Sequence, residues 1–186
     1  MIDSLDQFFE DGVLQEYVKS KVNDPWRGTN FEGYLNLSAT QMGAFGETLV
    51  TKIMKNLGST IEPRINPGHD KIIDGYKTEI KFSLSLKENH FSFNHIATHK
   101  DWDRIILLGV NPNNKFHMNW IYKKDFVDNI NSDACIFRRQ QGGGDGKNDD
   151  FMYTIDFLIL KNMGITQEMD SWLKDGRKLL GIELWL

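Results

Sequence analysis

The chain has 186 residues, 40% of them hydrophobic and 26% charged, with a formal net charge of -4. These values are close to the average for a globular protein, exclude a disordered or fibrous chain, and suit one domain around one core. No apolar run approaches the roughly 18 residues that a bilayer-spanning helix requires, and the acidic opening MIDSLDQFFEDG is unlike a signal peptide, so a cytoplasmic protein with no membrane partner is expected.

Cys135 is the single cysteine, which excludes an internal disulfide and a thiolate zinc cluster. His69, His90, His99 and His117 show no zinc-site spacing and read as packing or surface residues. The acidic balance counts against a protein that grips DNA unaided, because phosphate contacts need a basic excess.

In chain order, residues 4–22 carry apolar side chains at helical spacing, interrupted near Gly12, and predict one or two short helices. Residues 23–37 mix Pro25, Gly28 and Gly33 with aromatics and predict an ordered loop. Ser38 to Gln41 reads as a capping box. The stripe Met42, Phe45, Leu49, Val50, Ile53, Met54 and Leu57 then predicts a helix ending at Gly58. Residues 69–73 and 76–84 predict two strands around Asp74-Gly75, a dipeptide that favours two-residue hairpin turns.

The run RIILLGV at 104–110 is the most apolar of the chain and is expected to be a central strand buried on both faces. Residues 116–122 predict a further strand after the turn NPNN, and 123–130 a short helix. The polar, glycine-rich stretch 138–150 is expected to be a mobile loop, 151–160 a strand or strand pair, and 166–174 a helix. The terminal LLGIELWL predicts an element tied into the core or a partner. The five tryptophans, at 26, 102, 120, 172 and 185, are too dispersed for a base-stacking platform and read mostly as core.

The hairpin is where chemistry concentrates. With Asp74 and Gly75 at the turn, residue 73 pairs with 76 and Asp70 falls across from Glu79. Alternation along the strand puts Lys81 on the face of Glu79 and Ile80 on the other. Paired carboxylates repel unless a cation lies between them, and hard oxygen ligands of this kind suit Mg²⁺, with Mn²⁺ as substitute. A solvated hairpin with Lys81 neutralising both acids is the simpler alternative. Asp74 is a second candidate for the acidic role, although its spacing puts it in the turn. Glu47 borders the helical stripe, and Gly43 and Gly46 beside it would let that helix approach the sheet closely.

The order of these features resembles the PD-(D/E)XK nuclease superfamily, which includes many restriction endonucleases. The matching segments are GAFGE at 43–47, GHD at 68–70, EIK at 79–81, FNHI at 93–96 and DRIILL at 103–108, within residues 38–122. The resemblance implies an α/β fold with a central mixed β-sheet flanked by helices, restriction-endonuclease-like. It further implies Asp70, Glu79 and the Ile80 carbonyl as Mg²⁺ ligands and Lys81 as the group positioning the nucleophile. Glu47 would bind a second ion or orient its water. His69 stands where the family often has proline. Asn94 and His95 are expected at a helix start, where they could meet a phosphate, and Arg138 and Arg139 at a basic loop edge near DNA.

No separate DNA-reading module is left over in the chain. In length and layout it looks like the small, cleaving subunit of a heterodimeric Type IIS restriction endonuclease, whose larger subunit recognises double-stranded DNA. A homodimer reading its own site is the alternative within the nuclease class. A non-catalytic binding module with a decayed site is the alternative outside it.

Overall fold

The computed structural model describes residues 24, 26–85, 91–111, 115–131, 138–140, 152–156 and 167–168. The helices expected within 4–22, the glycines after residue 140 and the apolar C-terminal end lie outside the described residues.

Residues 26–37 form the expected ordered loop. The Asp24 carboxylate accepts the Trp26 N–H at 2.9 Å and also the Gly33 N–H, while Glu32 accepts the Gly28 N–H at 2.9 Å. These bonds close the backbone on itself and turn Trp26, Phe31, Tyr34 and Leu37 inward. Helix α1 (Ala39–Asn56) then starts at a reciprocal cap. Ser38 Oγ accepts the Gln41 N–H at 3.3 Å and Gln41 Oε1 accepts the Ser38 N–H at 2.9 Å. Phe45, Leu49, Val50, Ile53 and Met54 recur at helical spacing and are all buried.

Strand β1 (Ile61–Pro63), which has no counterpart among the sequence expectations, pairs with β2 (Lys71–Ile73). The turn to β3 (Tyr76–Leu84) has φ of 50° at Asp74 and 81° at Gly75, the left-handed pair that a two-residue hairpin demands. Register follows the turn, with Ile73 opposite Tyr76 and Lys71 opposite Thr78. β5 (Arg104–Val110) runs parallel to β3, and β6 (Phe116–Tyr122) antiparallel to β5. The chain enters α2 (Lys123–Ile130) directly from β6.

The fold is α/β, with a mixed sheet of β1, β2, β3, β5 and β6, extended at the β6 edge by the two-residue strand β9 (Gln167–Glu168). Alternation on the wholly buried β5 divides the core. Ile106, Leu108 and Val110 join the α1 side, whereas Ile105 and Leu107 meet Phe91, Phe93, Ile96, Trp102 and Phe126 of α2 on the other. Each such side chain removed from water contributes about 1.5–3 kcal/mol.

The structure corrects three expectations. Residues 93–96 are not a helix start but part of strand β4 (Ser92–Ala97), because Phe91 and Phe93 alternate with exposed Ser92, and an extra residue between Phe93 and Ile96 makes a bulge with His95 at φ 59°. Residues 138–140 are not loop but strand β7 (Arg138–Gln140), paired with β8 (Met152–Asp156), and β4, β8 and β7 form a separate antiparallel sheet. Within the helix expected at 166–174, Gln167 and Glu168 are instead extended, because they pair with Trp120 and Asn119 on the β6 edge. Among the described residues no helix is long and apolar enough to cross a membrane.

Candidate active site

The hairpin register carries Asp70 to the end of β2, where its N–H donates to the Thr78 carbonyl at 3.0 Å and its Oδ2 accepts the Ile80 N–H at 2.7 Å. β2 covers only the first residues of β3, so the edge from Glu79 onward faces the Asp70 carboxylate rather than a paired strand. In an extended strand the C=O of a residue points to the same side as its N–H. The Ile80 carbonyl is therefore directed to the Asp70 edge, while its side chain packs in the α1 core.

Glu79 is 2% exposed and its Oε1 lies 2.8 Å from Lys81 Nζ and 3.8 Å from Lys100 Nζ. Its second oxygen, Oε2, is buried and makes no hydrogen bond. Burial first, and the Glu79 charge next, hold the Asp70 carboxyl above its ordinary range, against the opposing effects of the Ile80 N–H, Lys81 and Lys100. Glu47 is likewise pushed up by burial and then by Asp70, with Lys71 and Arg64 opposing and Glu79 adding to the push. The three acids named from the sequence thus lie within one another's fields.

Two local devices bring Glu47 there. A Cβ at Gly46 would overlap the Phe82 side chain, so only glycine lets α1 approach β3 this closely. Around that contact Phe31, Tyr34, Phe45 and Phe82 form a cluster with ring centroids 5.4–6.2 Å apart, which fixes the helix against the strand. Gly43, by contrast, faces open space and plays no part in the approach. Glu47 Oε2 lies 3.9 Å from Lys71 Nζ.

Hard carboxylate oxygens, one of them buried without a hydrogen bond, are the donor chemistry of a Mg²⁺ site. Yet among the described residues no three His, Cys, Asp or Glu side chains stand close enough to form a ready cation cage. Glu79 instead turns one oxygen to Lys81 and Lys100, and Glu47 lies beside Lys71.

Asp74, the alternative acid, is structural. It is buried, its Oδ1 accepts the Thr60 N–H at 2.8 Å and the Thr60 hydroxyl at 3.3 Å, and its own N–H donates to the Thr60 carbonyl. Asn94 and His95 are exposed at the β4 bulge. Arg138 and Arg139 lie on β7, where the register sets them across from Thr154 and Tyr153 of β8. These four residues therefore belong to the smaller sheet, not to the acidic hairpin.

Sequence reasoning missed Lys100 and the role of His69. Lys100 follows β4, with no periodicity to mark it. His69 is 1% exposed, and its Nδ1 lies 3.1 Å from the Asp101 carbonyl. A carbonyl only accepts, so Nδ1 carries the proton.

Fold and site together define an α/β chain with an acid and lysine cluster on a hairpin edge. No protein-family model matches the sequence, and no curated protein is significantly similar to it.

Proposed function

We propose that the chain is a Mg²⁺-dependent DNA endonuclease, with Mn²⁺ as a substitute ion. The observation that carries this reading is that Asp70, Glu79 and Glu47 act electrostatically on one another, with Lys81 paired to Glu79, where β2 meets β3. The elements follow the order of the PD-(D/E)XK resemblance: helix with Glu47, Asp70, Glu79-Ile80-Lys81, then the buried β5. The departure is β4, a strand where that resemblance implies a helix.

In this reading Asp70, Glu79 and the Ile80 carbonyl hold the cation, and Glu47 orients its water or a second ion. The bound ion would lower the pKa of the attacking water and stabilise charge on the phosphodiester in the transition state. Lys81, already 2.8 Å from Glu79, would position that water as a hydrogen-bond donor.

The net charge of -4 supports a cleaving subunit recruited by a larger DNA-reading chain, in the manner of a Type IIS restriction endonuclease, with one strand cut by each centre. Plasmid nicking with Mg²⁺ and the partner chain, compared for wild type and Asp70→Ala, tests the assignment. Activity is expected only in wild type, and equal activity in both refutes the site. Specific double-strand breaks by the purified chain alone would favour the homodimer. The pairing of Glu47 and Glu79 with lysines favours a second reading, a non-catalytic binding module whose hairpin is a set of ion pairs. That reading predicts no Mg²⁺-dependent nicking by either protein.

A further inference from the structure

We infer that Lys100 is a phosphate-contacting residue of this centre, delivered to Glu79 by a rigid loop between β4 and β5; this rests on the nuclease reading above. Lys100 Nζ is the second ammonium on Glu79 Oε1, at 3.8 Å, and its side chain is 38% exposed, against 18% for Lys81. Lys81 is thus enclosed beside the acids, whereas Lys100 spans from the buried carboxylate to the surface, where a DNA backbone would pass.

The loop that carries it is held on every side. Asp101 accepts Lys77 Nζ at 2.9 Å and Asn66 Nδ2 at 2.9 Å, and its carbonyl accepts the His69 Nδ1–H at 3.1 Å. The Lys100 carbonyl accepts Lys123 Nζ and, at 3.2 Å, the Trp102 N–H. Trp102 is itself buried, with its indole N–H on the Ala97 carbonyl at 2.8 Å. His69 is the residue before Asp70, so one hydrogen bond ties the acid-bearing segment to the lysine-bearing loop. Such over-determination pre-organises a charged group that an exposed loop would otherwise leave free to wander.

Electrostatics gives the group its task. Glu47, Asp70 and Glu79 face Lys71, Arg64, Lys81 and Lys100, so the cations already outnumber the acids by one. A bound divalent ion would add to that positive surplus, and a phosphodiester is the anion that balances it. Lys100, held only loosely at 3.8 Å from Glu79 and 38% exposed, would then donate to a non-bridging phosphate oxygen.

The test uses the full chain and two probes, Mn²⁺ alone and a short DNA duplex with Ca²⁺ at low salt, both read by NMR. Mn²⁺ is expected to broaden the amides around Asp70 and Glu79; no broadening there would remove the nuclease reading itself. With Mn²⁺ binding in place, Lys100→Gln is expected to weaken duplex binding several-fold and reduce its salt slope by about one. The same change should tighten Mn²⁺ binding, because a competing positive charge has left Glu79. Lys100→Arg should retain duplex affinity. A merely structural lysine would not move the two affinities in opposite directions. Equal duplex affinity for wild type and Lys100→Gln, or no duplex binding by wild type, overturns the role of Lys100 while leaving the metal centre standing.

Discussion

Asp70 is a partly buried carboxyl beside a second acid, a conflict that the Ile80 N–H, Lys81 and Lys100 offset only in part. Burial and the Glu79 charge raise its folded-state pKa, so its stabilising contribution is present at low pH and is lost as pH rises through that raised value. Asp70→Asn removes the repulsion and should therefore raise the melting temperature at neutral pH without divalent ions, by roughly 2–4 °C for each kcal/mol relieved. The gain should vanish in acid, and thermal melts across pH check both halves. The sign for metal binding is opposite, because the cation competes with the proton. Mn²⁺ affinity should climb as pH rises through the raised ranges of Asp70 and Glu47, and calorimetric titration at several pH values measures it. At this scale Asp70, Glu79 and Lys81 were legible because a two-residue turn sets the hairpin register, whereas Glu47 was singled out by the resemblance and the glycines beside it. Lys100 was not, because its approach to Glu79 depends on how a loop is tied to His69, Lys77 and Lys123.

The helix and the hairpin meet through one glycine and turn on one aspartate. Gly46→Ala would place a methyl against Phe82 and should cost about 1–3 kcal/mol while displacing Glu47. Gly43→Ala, in open space on the same helix, should be neutral or stabilising by up to about 1 kcal/mol. Urea unfolding of the pair separates close approach from helix propensity. Asp74→Ala loses the bonds to Thr60 at a left-handed position and should destabilise by about 1–3 kcal/mol, yet leave Mn²⁺ binding in the surviving folded protein. Loss of binding there would return Asp74 to candidacy. Element prediction succeeded where a physical signal was local: the cap at Ser38, the turn at Asp74-Gly75 and the apolar run of β5. It failed at β4, where the family order suggested a helix although Phe91, Ser92 and Phe93 already alternate with the period of a strand. It failed again at Gln167, where pairing to a distant edge decides the conformation.

At the scale of the molecule, one mixed sheet buries β5 from both sides and leaves the acidic edge beyond β2 accessible to α1 from one direction and the Lys100 loop from another. That arrangement supplies chemical groups, while the net charge of -4 does not favour contact with phosphates. Low-salt conditions should therefore be needed for the chain to engage DNA by itself, and then without sequence preference. Strand scission of supercoiled plasmid by excess protein at low salt, with Mn²⁺, tests the proposed cation-dependent centre most directly. The predicted result is slow accumulation of nicked circles by wild type, stopped by chelation and absent for Asp70→Ala. Nicking of the same extent by both proteins, or none by wild type, would contradict it.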